Sequence, residues 1–197
     1  MRGIIGSTNE VGLAQWALGE RGAARASFRQ AITLADTCTD RDFSALARQN
    51  LAAVLLEAVE ISQATRTAAF ELLDKASARH AAVGALAAQG RGAALHAAAL
   101  RRDGGPGNLT MAVAVAREAV TAVEASGRIE SAPGAYAELA RCLQTAGRPE
   151  EAGAWAKSAI ALFTAVGEHV RAEALTAEFT QSETADPADA PEHEDAR

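Results

Sequence analysis

An all-α fold, a solenoid of about four helical hairpins closed by a C-terminal capping helix, is predicted by three features of this chain. Glycines recur between pairs of amphipathic segments, small side chains sit at helical spacing around them, and no sustained apolar/polar alternation marks a strand. About a quarter of the residues are Ala and only 4% are aromatic, which favours close helix-to-helix packing over a thick core of large side chains. The pattern is plainest from Leu139 to Leu162. Two amphipathic segments meet there at Gly147, with Pro149 in the first turn of the second, where a missing amide proton costs nothing. Ala140, Ala152, Ala156 and Ala159 allow the backbones to approach, while Leu139, Leu143 and Ile160 supply apolar bulk. A lone hairpin of this size cannot bury its apolar face and needs neighbours.

Those neighbours are written in the same chain. Val11, Gly12, Gln15, Gly19, Ala24, Phe28, Ala31 and Ile32 reproduce, without a gap, the spacing of Leu139, Ala140, Leu143, Gly147, Ala152, Ala156, Ala159 and Ile160. Ala69, Leu73 and Ala76 anchor a second unit, and Ala112, Ala116, Ala119 and Val120 a third. Gly84, Gly127 and Gly167 read as left-handed terminators of second helices, with Thr39 to Asp42 making the corresponding break after the first hairpin.

The predicted organisation is a frayed N-terminus over 1–8, a helical repeat domain over 9–181 and a disordered acidic tail over 182–197. Within the domain, hairpins fall at about 9–38, 41–83, 85–126 and 131–166, with the capping helix at 168–181. Ser7 and Glu10 have capping-box spacing, which starts the first helix near Thr8 or Asn9. Leu51, Val54 and Leu55 are the buried residues predicted for the first helix of the second hairpin, and Leu95 and Leu100 the bulky ones of the third. Asp103 to Asn108 reads as a longer loop, Gly90 and Gly92 weaken the helix before it, and Val170, Ala174 and Leu175 face back from the last helix.

Charge and motif content exclude several functions. Net charge is −6, yet the last sixteen residues hold six acids against one Arg, so the rest is nearly neutral. Basic residues are scattered without interleaved aromatics, so no nucleic-acid partner is expected. No apolar run is long enough for a membrane span and the first residues make no secretory signal, so the expected location is cytoplasmic and no membrane partner is expected. His80, His96, His169 and His193 stand in separate segments without ligand spacing, so no metal and no cofactor is expected. Cys38 and Cys142 fall in different hairpins, Cys38 as a loop thiol and Cys142 on an apolar helix face. Glu150 and Glu151 complement a helix dipole and do not make an acid/base pair. No catalytic constellation is present, so the chain reads as a non-enzyme. Arg101 and Arg102 before GGPGN could form an anion nest, but no GK[ST] follows, and a plain connecting loop is the better reading.

Together these units resemble the tetratricopeptide repeat (TPR) family, in a variety with roughly 40 to 45 residues per repeat. Gly12 and Ala140 match the family's small residue of the first helix, Gly19 and Gly147 its turn glycine, and Ala24, Ala31, Ala152 and Ala159 the small residues of the second helix. The resemblance implies a right-handed superhelix whose first helices line a concave groove for a peptide, a helix or a protein domain. On that mapping the partner-binding residues are Leu13, Trp16, Gln49, Asn50, Leu56, Leu100, Arg101, Arg141 and Gln144, with Ala17, Ala53, Ala97 and Glu138 beside them. Asn50 matches the family's asparagine that can hold a ligand's main chain, while Glu10, Ala94 and Glu138 stand at the corresponding places of the other units. Trp16 is either a groove anchor or a contact between hairpins, and Trp155 reads as an inter-repeat contact. The expected function is a protein-protein interaction scaffold with a protein or peptide partner. The alternative is a sensor or regulatory domain of a signalling or transcription-regulatory system whose groove takes a small molecule or signalling peptide.

Overall fold

The structure, a computed structural model, describes residues 2–58 and 61–184. Nine α-helices and a short 3-10 turn, Ile129–Ser131, follow one another among the described residues, with no strand. They are α1 (Arg2–Ala17), α2 (Arg21–Thr37), α3 (Arg41–Leu56), α4 (Gln63–Ala82), α5 (Leu86–Asp103), α6 (Pro106–Ala125), α7 (Ala132–Thr145), α8 (Pro149–Ala165) and α9 (His169–Thr184). Each helix packs on its neighbours in sequence, and first helices also touch, α1 on α3, α3 on α5 and α5 on α7. This is an α-solenoid of four helical hairpins followed by α9.

The apolar core is divided along the stack. Phe28, Leu51 and Val54 anchor one cluster, Leu56 and Leu73 the next, Leu139, Leu143 and Val123 the largest, and Phe163 with Leu175 the last. A closed bundle would pool these side chains in one centre; a stack distributes them between successive hairpins.

The repeat seen in the sequence is reproduced in the backbone of the second helices of the outer hairpins and in the turns before them. A shift of 128 residues carries both ends of α2 onto both ends of α8, and Gly19 (φ 79°) onto Gly147 (φ 72°). Gly84, Gly127 and Gly167 adopt positive φ after α4, α6 and α8, and Thr39 takes the same conformation (φ 56°) after α2 without a glycine's freedom. Close approach is decided at two glycines inside helices. A Cβ on Gly12 would lie 2.6 Å from the Phe28 ring, and one on Gly90 2.5 Å from Val123 and 2.9 Å from the Ala119 carbonyl oxygen. Gly90 therefore sets how tightly α5 seats on α6, which offsets its cost in helix propensity.

Several expectations are corrected. The first helix begins at Arg2, not near Thr8, because Ile5 is fully buried and Arg2 Nε pairs with Asp40 Oδ2 at 2.6 Å. Ser7 thus lies inside α1 and caps nothing. The link after α5 is tight: Gly104 (φ 69°) and Gly105 (φ 80°) turn the chain between Asp103 and Pro106. In α9 the face turned inward is Ala172 and Leu175 with Phe179, whereas Val170 is 80% exposed and Ala174 points to solvent. The capping helix runs to Thr184, and residues 185–197 of the predicted acidic tail lie outside the described residues.

Candidate functional site

Because each first helix follows its predecessor by one hairpin, α1, α3, α5 and α7 present the same edge of every unit to one side of the stack. Their side chains enclose an open cavity of about 540 Å³, which continues into a smaller lobe of about 320 Å³. Trp16, Ala53, Leu95, Ala98, Glu138 and Arg141 border both lobes, so the two form one groove. Its floor is made of small side chains, Ala53, Ala94, Ala98 and Ala135, and its ends carry Arg91, Arg102 and Arg171. Small residues leave the width that a bound segment needs, and the flanking arginines and glutamates can fix its register.

The polar residues of the groove are held by one another across hairpins. Trp16 Nε1 donates to Glu57 Oε2 at 2.8 Å, and Arg21 Nε donates to the same oxygen at 3.0 Å. The Arg21 and Trp16 bonds hold the Glu57 carboxyl below the usual carboxylate range, against a smaller opposing effect of burial. Asn50 Nδ2 donates to Asn9 Oδ1 at 3.0 Å, tying α3 to α1. Beneath the groove wall, Gln49 Oε1 and His80 Nε2 lie 3.1 Å apart, both side chains buried. Farther along, Arg101 Nε donates to Glu138 Oε1 at 2.8 Å, and Arg141 grips Glu178 with bonds of 2.9 and 3.0 Å while lying 3.8 Å from Glu138. Burial is the largest single effect on Arg101 and disfavours its charge, but the bond to Glu138 and the neighbouring negative charges together outweigh it and raise its pKa.

Of the residues assigned to the groove from sequence, Trp16, Gln49, Asn50, Leu56, Arg101 and Arg141 line it, as do Ala53 and Glu138. Leu13, Leu100 and Gln144 do not. Leu13 turns toward Phe28 and Leu51 in the first cluster, and Leu100 packs into the largest cluster with Ala97 on the inward side of α5. Gln144 stays half-buried outside the lining, and Ala17 is exposed away from it. Sequence reasoning missed Arg91, Leu95, Ala98, Pro133 and Gly134. Stepping back from Arg101 along one helical face gives Ala98, Ala94 and Arg91, so the signal was present once the phase of α5 was fixed. Trp16 flanks the first core cluster and also lines the groove. Trp155 meets Tyr136 of its own hairpin edge-on, with ring centres 5.0 Å apart, and flanks the cluster shared with α6.

Against known proteins, the Tetratricopeptide repeat family model matches residues 9–38, the segment that forms the second half of α1 and all of α2. No curated protein matches the chain. The match supports a tetratricopeptide repeat in the first hairpin, whose spacing of glycine, small and apolar residues the fourth hairpin repeats. Repeats of this family generally mediate protein-protein interactions and are typically non-enzymatic scaffolds. No helix among the described residues is long and apolar enough to cross a membrane.

Proposed function

We propose that the chain is a non-enzymatic scaffold that receives a peptide or helix of a partner protein in the groove over α1, α3, α5 and α7. The observation that carries this reading is convergence. Trp16, Ala53, Ala98 and Glu138 belong to four different hairpins, yet they border one continuous opening with an alanine floor and charged flanks. An amphipathic helix suits such a lining, its apolar side on the alanines and its polar edges beside Arg91, Arg102 and Glu138. Trp16, Asn50, Arg101 and Glu138 around that floor are already hydrogen-bonded, so the groove keeps its shape before a partner arrives and little ordering cost remains.

Affinity capture tests the assignment. A bait carrying Ala98→Glu, which places a carboxylate between the two lobes, should lose the partner that the wild-type chain retains. Ala154→Glu, on the exposed side of α8, should keep it. Equal recovery by the Ala98→Glu and wild-type baits would reject the groove as the binding surface.

A further inference from the structure

The N-terminal end of the stack carries a face that the rest of the chain shows how to cover. Ile4, Val11 and Leu18 follow one another at seven-residue intervals along α1 and its last turn, and are 60%, 50% and 76% exposed. Seven residues are two helical turns, so the three side chains form one stripe. Ser7 and Ala14, both small and exposed, lie between them, and Glu10 is the lone charge at the edge. A solvent-facing helix ordinarily turns charges outward, and α9 at the other end of the stack does so with Glu173.

The repeat supplies an independent observation. The 128-residue shift that superposes the outer hairpins in sequence carries Ile4, Val11 and Leu18 onto Ala132, Leu139 and Ala146. Leu139 is fully buried and Ala132 nearly so, and both belong to the cluster in which α7 meets α6. In the fourth hairpin the equivalent stripe is therefore the seat of a neighbouring helix, whereas on α1 it is open. Residues 185–197 contain no Leu, Ile, Val or Phe, so that segment has no large apolar side chain to lay on it.

We infer that the open α1 stripe is a self-association surface, on which α1 of a second copy of this chain packs antiparallel about a two-fold axis beside Val11. The stripe is symmetric about that residue. Ile4 and Leu18 each stand seven residues from Val11, so the two-fold sets Ile4 of each copy against Leu18 of the other and Val11 against itself. Such an interface fills on α1 the seat that α6 fills on α7, with a first helix in place of a second, and its stripe residues do not line the groove. A single helix pair, about 24 Å long, buries less than the roughly 1,200–2,000 Å² of a standard stable interface, so the dimer is weak and forms only at high protein concentration.

Sedimentation equilibrium of the full chain, from about 1 to 500 µM, tests this. The wild-type mass should rise from 20.3 kDa toward twice that value with concentration. Val11→Glu and Leu18→Glu should each stay monomeric, with helicity by circular dichroism unchanged because both sites face solvent. Val170→Glu, at the exposed apolar residue of α9, should associate like wild type. Oxidation of Val11→Cys in a Cys38→Ser background should give a covalent dimer, because the axis brings this position beside its own copy. A wild-type chain that is monomeric throughout, Val11→Glu associating like wild type, or association abolished by Val170→Glu would each overturn the inference.

Discussion

Arg101 Nε donates to Glu138 Oε1 at 2.8 Å, a bond between α5 and α7 in which the carboxylate side chain is 9% exposed and the arginine 22%. Glu138 is shared, with Arg141 3.8 Å away on its own helix. Removing it leaves Arg101 without its acid in a partly desolvated position, the situation in which breaking a pair costs more than the pair itself contributes. Glu138→Ala should lower the unfolding free energy by about 2–4 kcal/mol in urea denaturation, and Glu138→Gln by less, since the amide oxygen still accepts. Equal stability of Glu138→Ala and wild type would show that the bond is not held in solution.

Close approach at Gly12 gives a prediction of steric origin. Gly12→Ala drives a methyl group to within 2.6 Å of the fully buried Phe28 ring, which must shift within the core to admit it, so stability should drop by about 1–3 kcal/mol. Gly22→Ala, where a Cβ meets nothing, should instead be neutral or raise the melting temperature through helix propensity.

Much of this packing is legible in the sequence, because a match of small, glycine and apolar positions over a whole hairpin reflects geometry that recurs. Gly19 and Gly147 were readable as turns, and Ala24, Ala31, Ala152 and Ala159 as the buried small residues that they are. The phase of α5 was not, since about half of that helix is Ala and Gly, spread around it, and several of its faces pass for apolar. Leu100 was consequently turned to the groove on paper and to the core in the structure. The start of α1 was hidden for another reason: what holds Arg2 is Asp40, thirty-eight residues away, and no local signal records such a contact.

Stability should depend on pH in two separate steps. Burial holds His80 and His96 below the ordinary imidazole range; at His80 the Arg91 charge acts in the same direction and Asp42 against it, and at His96 Asp74 and Glu118 act against it. The folded chain therefore binds fewer protons than the unfolded one below the unfolded imidazole pKa of roughly 6.5. The melting temperature should be flat above that value and fall as pH drops through it toward the lower folded values. A second fall begins below the ordinary carboxylate pKa, as Glu57 loses the advantage given by Arg21 and Trp16. Calorimetry of the His80→Gln, His96→Phe double variant should show the second step and a flattened first one.

Thiol reactivity separates the two cysteines. Cys142 is fully buried, and burial together with the Glu138 charge pushes its thiol up to about 12, whereas Cys38 is half-buried at the end of α2. Thiolate is the reactive form, so an aromatic disulfide reagent at pH 8 should titrate one thiol quickly in the native chain and the second only after denaturant is added. Two rapid thiols would mean that the contact between α7 and its neighbours opens readily.

The groove itself is tested most directly by photo-crosslinking. A benzophenone side chain is placed at Ala98, on the border of both lobes, or at Ala154, on the exposed side of α8, and each protein is irradiated with its partner bound. Mass spectrometry should then find the partner joined at position 98 through one continuous short segment, and not joined at position 154. Crosslinks from position 154 with none from position 98 would place the partner outside the groove and contradict the account.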